Sequence, residues 1–194
     1  VSTALTEHTG PWSIADVEAI PDRGDHTRYE LLTPGVLTVS PAPEPVHQRA
    51  SYRLANLMRA AVDAAGMNVE ILEAVNVVIP GGRLCIPDIA IVDRQVADLD
   101  MKRFTPGTLL GVVEIVSPST IPTDRVVKPD LYAAAKVPLY FRLEIATSEL
   151  LVFELRRSGR HVHVLTAEAG TQTAIDVPFR FEVDPAELTV WRHR

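Results

Sequence analysis

A chain of 194 residues, 46% hydrophobic and 23% charged, is long enough to bury one substantial core, and its formal net charge of -6 gives it no overall positive footprint for tight non-specific nucleic-acid binding. No stretch approaches the roughly 18 uninterrupted apolar residues of a membrane span, and Val1-Ser2-Thr3-Ala4 lacks the basic start of a secretory signal, so none is expected. Cys85 is the only cysteine, which excludes an intrachain disulfide; it reads as a buried small hydrophobe, in an expected reducing, cytoplasmic setting.

Ser13-Ile14-Ala15-Asp16 resembles a capping box, with Asp in place of Glu or Gln, and predicts a short helix that Pro21 and Gly24 stop. Tyr29–Leu32, the turn Thr33-Pro34-Gly35 and Val36–Ser40 read as a β-hairpin. Pro41-Ala42-Pro43-Glu44-Pro45 cannot continue a strand and reads as a linker. Val46, Ala50, Leu54, Leu57, Met58, Ala61, Val62 and Ala65 recur at intervals of three and four before Gly66, which predicts a long helix.

Val69 to Ile79 reads as a β-branched strand, with Gly81-Gly82 turning the chain into a second strand over Cys85–Val92. Arg94 to Leu99 is expected to form one or two helical turns. Gly111–Val116 reads as a central strand ended by Ser117-Pro118-Ser119-Thr120, and Pro129 suits the first turn of a helix through about Ala135. Leu139–Ile145, Leu150–Leu155 and His161–Thr166 follow as a meander of strands. The pattern is mixed α/β (α+β) in one domain.

Two acids stand out. Asp88 lies in Cys85-Ile86-Pro87-Asp88-Ile89-Ala90-Ile91-Val92, and Glu114 lies in Gly111-Val112-Val113-Glu114-Ile115-Val116. Burying an isolated carboxylate costs several kcal/mol or more unless it is paired or holds a metal. Lys128 follows 14 residues after Glu114. Two carboxylates from adjacent strands suit a hard cation such as Mg²⁺, which takes oxygen ligands and keeps several waters. A nearby lysine can polarise an attacking water or offset developing negative charge.

Pro87-Asp88, Glu114-Ile115-Val116 and Lys128 resemble the PD-(D/E)XK motif of restriction-endonuclease-like nucleases. More narrowly, the chain is similar to the Uma family from about Tyr29 onward. The segments that carry this are Tyr29-Glu30-Leu31-Leu32 with Gly35, Pro87-Asp88, Glu114-Ile115-Val116-Ser117-Pro118-Ser119-Thr120, then Asp124, Lys128, Tyr132 and Val137-Pro138-Leu139-Tyr140-Phe141. The resemblance implies a restriction-endonuclease-like mixed β-sheet flanked by helices over residues 1–194, with 1–27 as an N-terminal helical extension. It implies DNA as substrate and phosphodiester hydrolysis with Mg²⁺ or Mn²⁺. Asp88 and Glu114 are then the metal ligands, Glu30 completes the carboxylate set, and Lys128 is the catalytic lysine. The chain departs from the parent motif where lysine stands two residues after the acid: that position is Val116, and Lys128 is supplied from the next helix. Pro129 directly after Lys128, and Lys136 where glycine is usual, are further departures.

The residues also allow blander readings. Asp88 could pair with an arginine such as Arg83, Glu30 could be a surface acid of a hairpin, Lys128 a solvated helix start and Asp124 a cap. His47 either faces the cleft or opens the long helix in solvent. His161 and His163 are expected on the surface. Arg49, Arg53 and Arg59 lie on the polar side of the long helix, either solvated or touching phosphate, and Arg156-Arg157 reads as a hairpin tip. The functional alternatives are a catalytically silent interaction module on a nuclease fold and a hydrolase for another phosphoester. Edge strands in the C-terminal meander lead to an expected homo-oligomer, a dimer.

Overall fold

The frame of the molecule is a six-stranded mixed sheet with the strand that carries Glu114 near its middle. The computed structural model describes residues 5, 7–21, 24–97, 102–118 and 120–190. The sheet runs β10-β9-β8-β7-β6-β3, with β3 at Val69–Glu73, β6 at Ile89–Asp93, β7 at Leu109–Val116, β8 at Leu139–Glu144, β9 at Glu149–Leu155 and β10 at His161–Ala167. β7 pairs antiparallel with β6 and parallel with β8. Seven of its eight residues are buried, as expected of a strand covered on both faces.

Strand alternation sorts those residues onto two cores. Ile89, Ile91, Val113, Ile115, Phe141 and Leu143 face one side, where they meet Leu54, Met58 and Val62 of helix α2, Pro45–Ala65. Ala90, Val92, Val112 and Tyr140 face the other side with Tyr132 of helix α3, Lys128–Ala134. Asp88 and Glu114 share the parity of this second set. The β6–β7 register pairs Ala90 with Val112 and Ile89 with Val113; Asp88 stands just before β6, where its Oδ2 accepts the Ile115 N–H beside Glu114.

A four-stranded sheet, β2-β1-β5-β4, leans over that same end. Its strands are β1 at Arg28–Thr33, β2 at Val36–Ser40, β4 at Val77–Ile79 and β5 at Arg83–Cys85. Here the structure corrects two expected strands. Val69–Ile79 is two strands in different sheets, broken at Ala74, which takes φ +53°, outside the extended region that a regular strand requires. Cys85–Val92 is likewise split at Ile86-Pro87-Asp88, so Asp88 sits at the mouth of β6 rather than at a strand centre. The two crossings are tied together, since the Ala74 N–H donates to the Asp88 carbonyl at 3.2 Å.

Other expectations hold with small shifts. The capping box of helix α1, Ile14–Glu18, forms with Ser13 and Asp16. The Tyr29–Ser40 hairpin is β1–β2. Residues 94–96 form a turn rather than a helix, and Leu99 lies outside the described residues. A π-helical turn at Thr123–Val127 precedes α3, so that helix begins at Lys128 itself. Lys136 takes φ +67° just beyond α3, where Val137 N–H returns to the Tyr132 carbonyl at 3.0 Å. This is the left-handed helix stop that glycine ordinarily fills.

His161 is not the surface residue expected. Its ring lies against Tyr140, with centroids 5.8 Å apart, and its nitrogens stand 3.2 Å and 3.0 Å from the carbonyl oxygens of Pro129 and Val137. His163 is exposed. The short strands β11, Thr173–Ile175, and β12, Phe181–Val183, and helix α4, Pro185–Thr189, escaped the sequence reading. No described helix is long and apolar enough to cross a membrane.

Gly111 marks the tightest approach in the main sheet. It pairs with Leu139 of β8, and a Cβ there would lie 2.9 Å from the Leu139 Cβ and 3.2 Å from its carbonyl oxygen. Gly111→Ala is expected to destabilise the protein by about 1–3 kcal/mol through overpacking. A urea-unfolding midpoint equal to that of wild type would refute this.

Candidate active site

Asp88 is 2% exposed and uses both oxygens. Oδ2 accepts the Ile115 N–H of β7 at 2.7 Å and stands 3.2 Å from His47 Nε2 on the first turn of α2. Oδ1 accepts from Arg28 Nη1 at 2.6 Å. Its partner is therefore Arg28, not Arg83, which turns back to the Pro80 carbonyl. Burial works against ionising Asp88, but the hydrogen bond and charge of His47, with Arg28 and Lys128, outweigh it and hold the carboxyl well below its ordinary range.

Glu30 lies two residues after Arg28 on β1, hence on the same face. It is buried, and its Oε1 accepts the Ile86 N–H at 2.7 Å, which pins the crossing segment that carries Asp88. Lys128 reaches the same point from α3. Its Nζ is 3.1 Å from Glu30 Oε1, 3.1 Å from Glu114 Oε2 and 3.7 Å from Asp124 Oδ1, and it donates to the Ile86 carbonyl at 3.4 Å. The other oxygen of Glu114 accepts from the Tyr132 hydroxyl at 2.8 Å.

The π-helical turn sets this aim. Asp124, Lys128 and Tyr132 recur at intervals of four, so all three side chains point into the cluster. The Tyr140 hydroxyl donates to the Asp124 carbonyl, and Arg125 makes a two-pronged pair with Glu144 at 2.9 and 2.7 Å. Upstream, Thr120 Oγ1 accepts the Ser117 N–H at 3.1 Å, so Ser-Pro-Ser-Thr serves as the turn between β7 and the π-helical turn; Ser119 itself lies outside the described residues.

Arg28, Glu30, His47, Asp88, Glu114, Asp124 and Lys128 line a cavity of about 360 Å³ that also holds Glu44. Its acids outnumber its permanent cations, Arg28 and Lys128. Burial, reinforced by Asp124, Asp88 and Glu30, pushes the Glu114 carboxyl well above its ordinary range despite Lys128. Burial raises Asp124 as well. Burial disfavours the charged form of Lys128, but Glu114, Glu30, Asp124 and Asp88 outweigh it and hold the amine's pKa well above its ordinary range.

The family described as "Putative restriction endonuclease", Uma2, matches residues 14–189. The chain belongs to the Uma2 family. A solved structure described as a putative nuclease belonging to DUF820, from Anabaena variabilis, aligns with a TM-score of 0.70 at 13% identity, covering 92% of this chain and 98% of that one. At that identity the likeness establishes the fold. A comparison with curated proteins returned no match.

The Uma2 site can be tested for a divalent cation, the group its family implies. Its donors are hard oxygens, its charge is in negative surplus, and Glu114 makes two hydrogen bonds where a carboxylate can accept about four. Among the described residues no three acid, histidine or cysteine side chains form a ready-made cation cage. Mg²⁺ is ordinarily held by one or two carboxylates, with water and phosphate oxygens completing the shell. The residues fit such an ion.

Sequence reasoning reached Glu30, Asp88, Glu114, Lys128, Asp124 and His47, and all six line one cavity. Arg28 was missed, although its place two residues before Glu30 on a strand was a legible sign. Two of the three helix arginines are committed elsewhere: Arg53 to the carbonyls of Glu187 and Val190, Arg59 to Glu73 and the Ile71 carbonyl. Cys85 is fully buried, and burial drives its thiol far up, so it is no nucleophile.

Removing the central cation should expose its role. Lys128→Met leaves Glu114, Glu30 and Asp124 without their shared counter-ion and is expected to cost about 3–5 kcal/mol near neutral pH. Because the raised carboxyls take up protons as the pH falls, the deficit against wild type should shrink toward pH 4. A deficit that is constant or grows on acidification, measured by denaturant unfolding, would contradict the assignment.

Proposed function

We propose that this protein is a divalent-metal-dependent endonuclease that hydrolyses DNA phosphodiester bonds, with Glu30, Asp88, Glu114 and Lys128 as its catalytic set. The observation that carries the reading is the convergence of the Asp88 and Glu114 carboxylates in one cavity, with a buried lysine amine 3.1 Å from Glu114, in a member of a family described as "Putative restriction endonuclease". Asp88 and Glu114 would hold Mg²⁺ or Mn²⁺. Such an ion, when bound, lowers the pKa of a coordinated water and neutralises charge on a phosphoryl oxygen.

The chain's own groups divide the remaining work. Lys128 keeps its proton, so it acts as a fixed positive charge toward developing negative charge rather than as a base. Glu30 orients both the Lys128 amine and the backbone that presents Asp88. Tyr132 holds the Glu114 carboxylate in one rotamer. An inactive interaction module is the alternative, favoured by one observation: Arg28 and His47 already compensate Asp88.

Supercoiled plasmid incubated with pure protein decides between them. Nicking is expected with Mg²⁺ or Mn²⁺ and not with EDTA, and Asp88→Asn and Glu114→Gln should each lower the rate at least about a hundredfold. No nicking by wild type, or undiminished nicking by either variant, would sink the catalytic reading. The same proposal includes a cytoplasmic setting and a homodimer joined at the β10 edge, where Val162 and Val164 are exposed. Sedimentation that returns monomer throughout the micromolar range would remove the dimer.

A further inference from the structure

Lys128 and Arg28 are the permanent cations of the cavity, and they are not in equivalent states. Lys128 is 4% exposed and its amine is committed to Glu30, Glu114 and the Ile86 carbonyl. An ammonium has three protons to donate, so none is spare. Arg28 is 20% exposed. Among the described residues its guanidinium bonds through Nη1 to Asp88, leaving Nε and Nη2 without a protein acceptor. A phosphodiester entering a cavity rich in carboxylates needs a cation with free donors, and Arg28 has them.

Its position fits the same use. Arg28 forms a wall common to the acidic cavity and to a neighbouring hollow of about 320 Å³ lined by His26, Thr27, Gln48, Ala74 and Ile86, which contains no carboxylate. A strand whose phosphate rests on Arg28 can thus run from the acidic cavity into a surface that does not repel it. Asp88 also keeps the Ile115 N–H and His47 if Arg28 moves away, so the carboxylate is not orphaned by the exchange.

We propose that Arg28 is a phosphate-binding residue held in reserve: it serves Asp88 as counter-ion until a divalent cation takes that carboxylate, and then grips the phosphodiester of the DNA strand. The proposal rests on the reading of Asp88 as a metal ligand. It makes Arg28 a competitor of the cation and an ally of the substrate, two effects of opposite sign that a merely structural arginine would not produce. Guanidinium geometry suits this exchange, since carboxylate and phosphate present the same pair of acceptor oxygens.

The test is Arg28→Gln and Arg28→Lys, with Mn²⁺ uptake followed by calorimetry without DNA and binding of a short fluorescent duplex followed by anisotropy in Ca²⁺. Arg28→Gln is expected to bind Mn²⁺ about tenfold more tightly and the duplex about tenfold more weakly than wild type. Arg28→Lys, which keeps the charge but loses the fork, should bind Mn²⁺ near the wild-type level and the duplex at an intermediate level. Unchanged Mn²⁺ affinity in Arg28→Gln overturns the competition, and unchanged duplex affinity overturns the phosphate role. If wild type takes up no Mn²⁺, or Asp88→Asn takes it up undiminished, the metal reading falls and this proposal with it. If uptake depends on Asp88 while Arg28→Gln behaves as wild type, the Arg28 assignment alone falls.

Discussion

Two carboxylates buried side by side, one at the mouth of β6 and one on β7, are the constraint around which this end of the molecule is organised. Like charges directly opposite on neighbouring strands are destabilising, and burial on both faces of the sheet multiplies the cost. Each structural peculiarity near Asp88 and Glu114 supplies a counter-charge or a donor. β1 brings Arg28, α2 brings His47, and the segment after β7 brings Lys128 and Tyr132.

The peculiar backbone features have the same origin. A single long strand over 69–79 would leave no second sheet to carry β1 over the site; the left-handed Ala74 and the Ile86-Pro87-Asp88 crossing let the chain change sheets twice at one level. The π-helical turn is of the same kind. Such turns recur at functional sites because they re-aim the side chains that follow, and here the bonds from Tyr140 and Arg125 hold the turn so that Asp124, Lys128 and Tyr132 converge.

Much of the sheet was legible because its signals are local. The β7 run, the period of α2 from Val46 to Ala65 and the Ser13 capping box each encode their element within a few residues, and each forms. The broken strands were not legible, since an alanine with positive φ carries no signal in its type. β11, β12 and α4 are short elements that owe their form to packing against α2 and each other, which no periodicity announces. His161 looked like a surface residue because nothing near it in sequence names Tyr140 or the Pro129 carbonyl as its neighbours.

The sequence by itself marked Asp88 and Glu114 as acids set in apolar runs with a lysine downstream, and for Glu114 the reason is plain: an acid among valine and isoleucine on a central strand has nowhere else to go. It also carried the resemblance that the family match bears out. The tertiary structure decided how those acids are answered. Val116, two residues after Glu114, lies buried on the same strand, and the amine arrives instead from α3. Arg28 meets Asp88 across 60 residues of chain. Contacts of that span depend on how sheets and helices stack, and that arrangement is a property of the packed whole rather than of any stretch of residues.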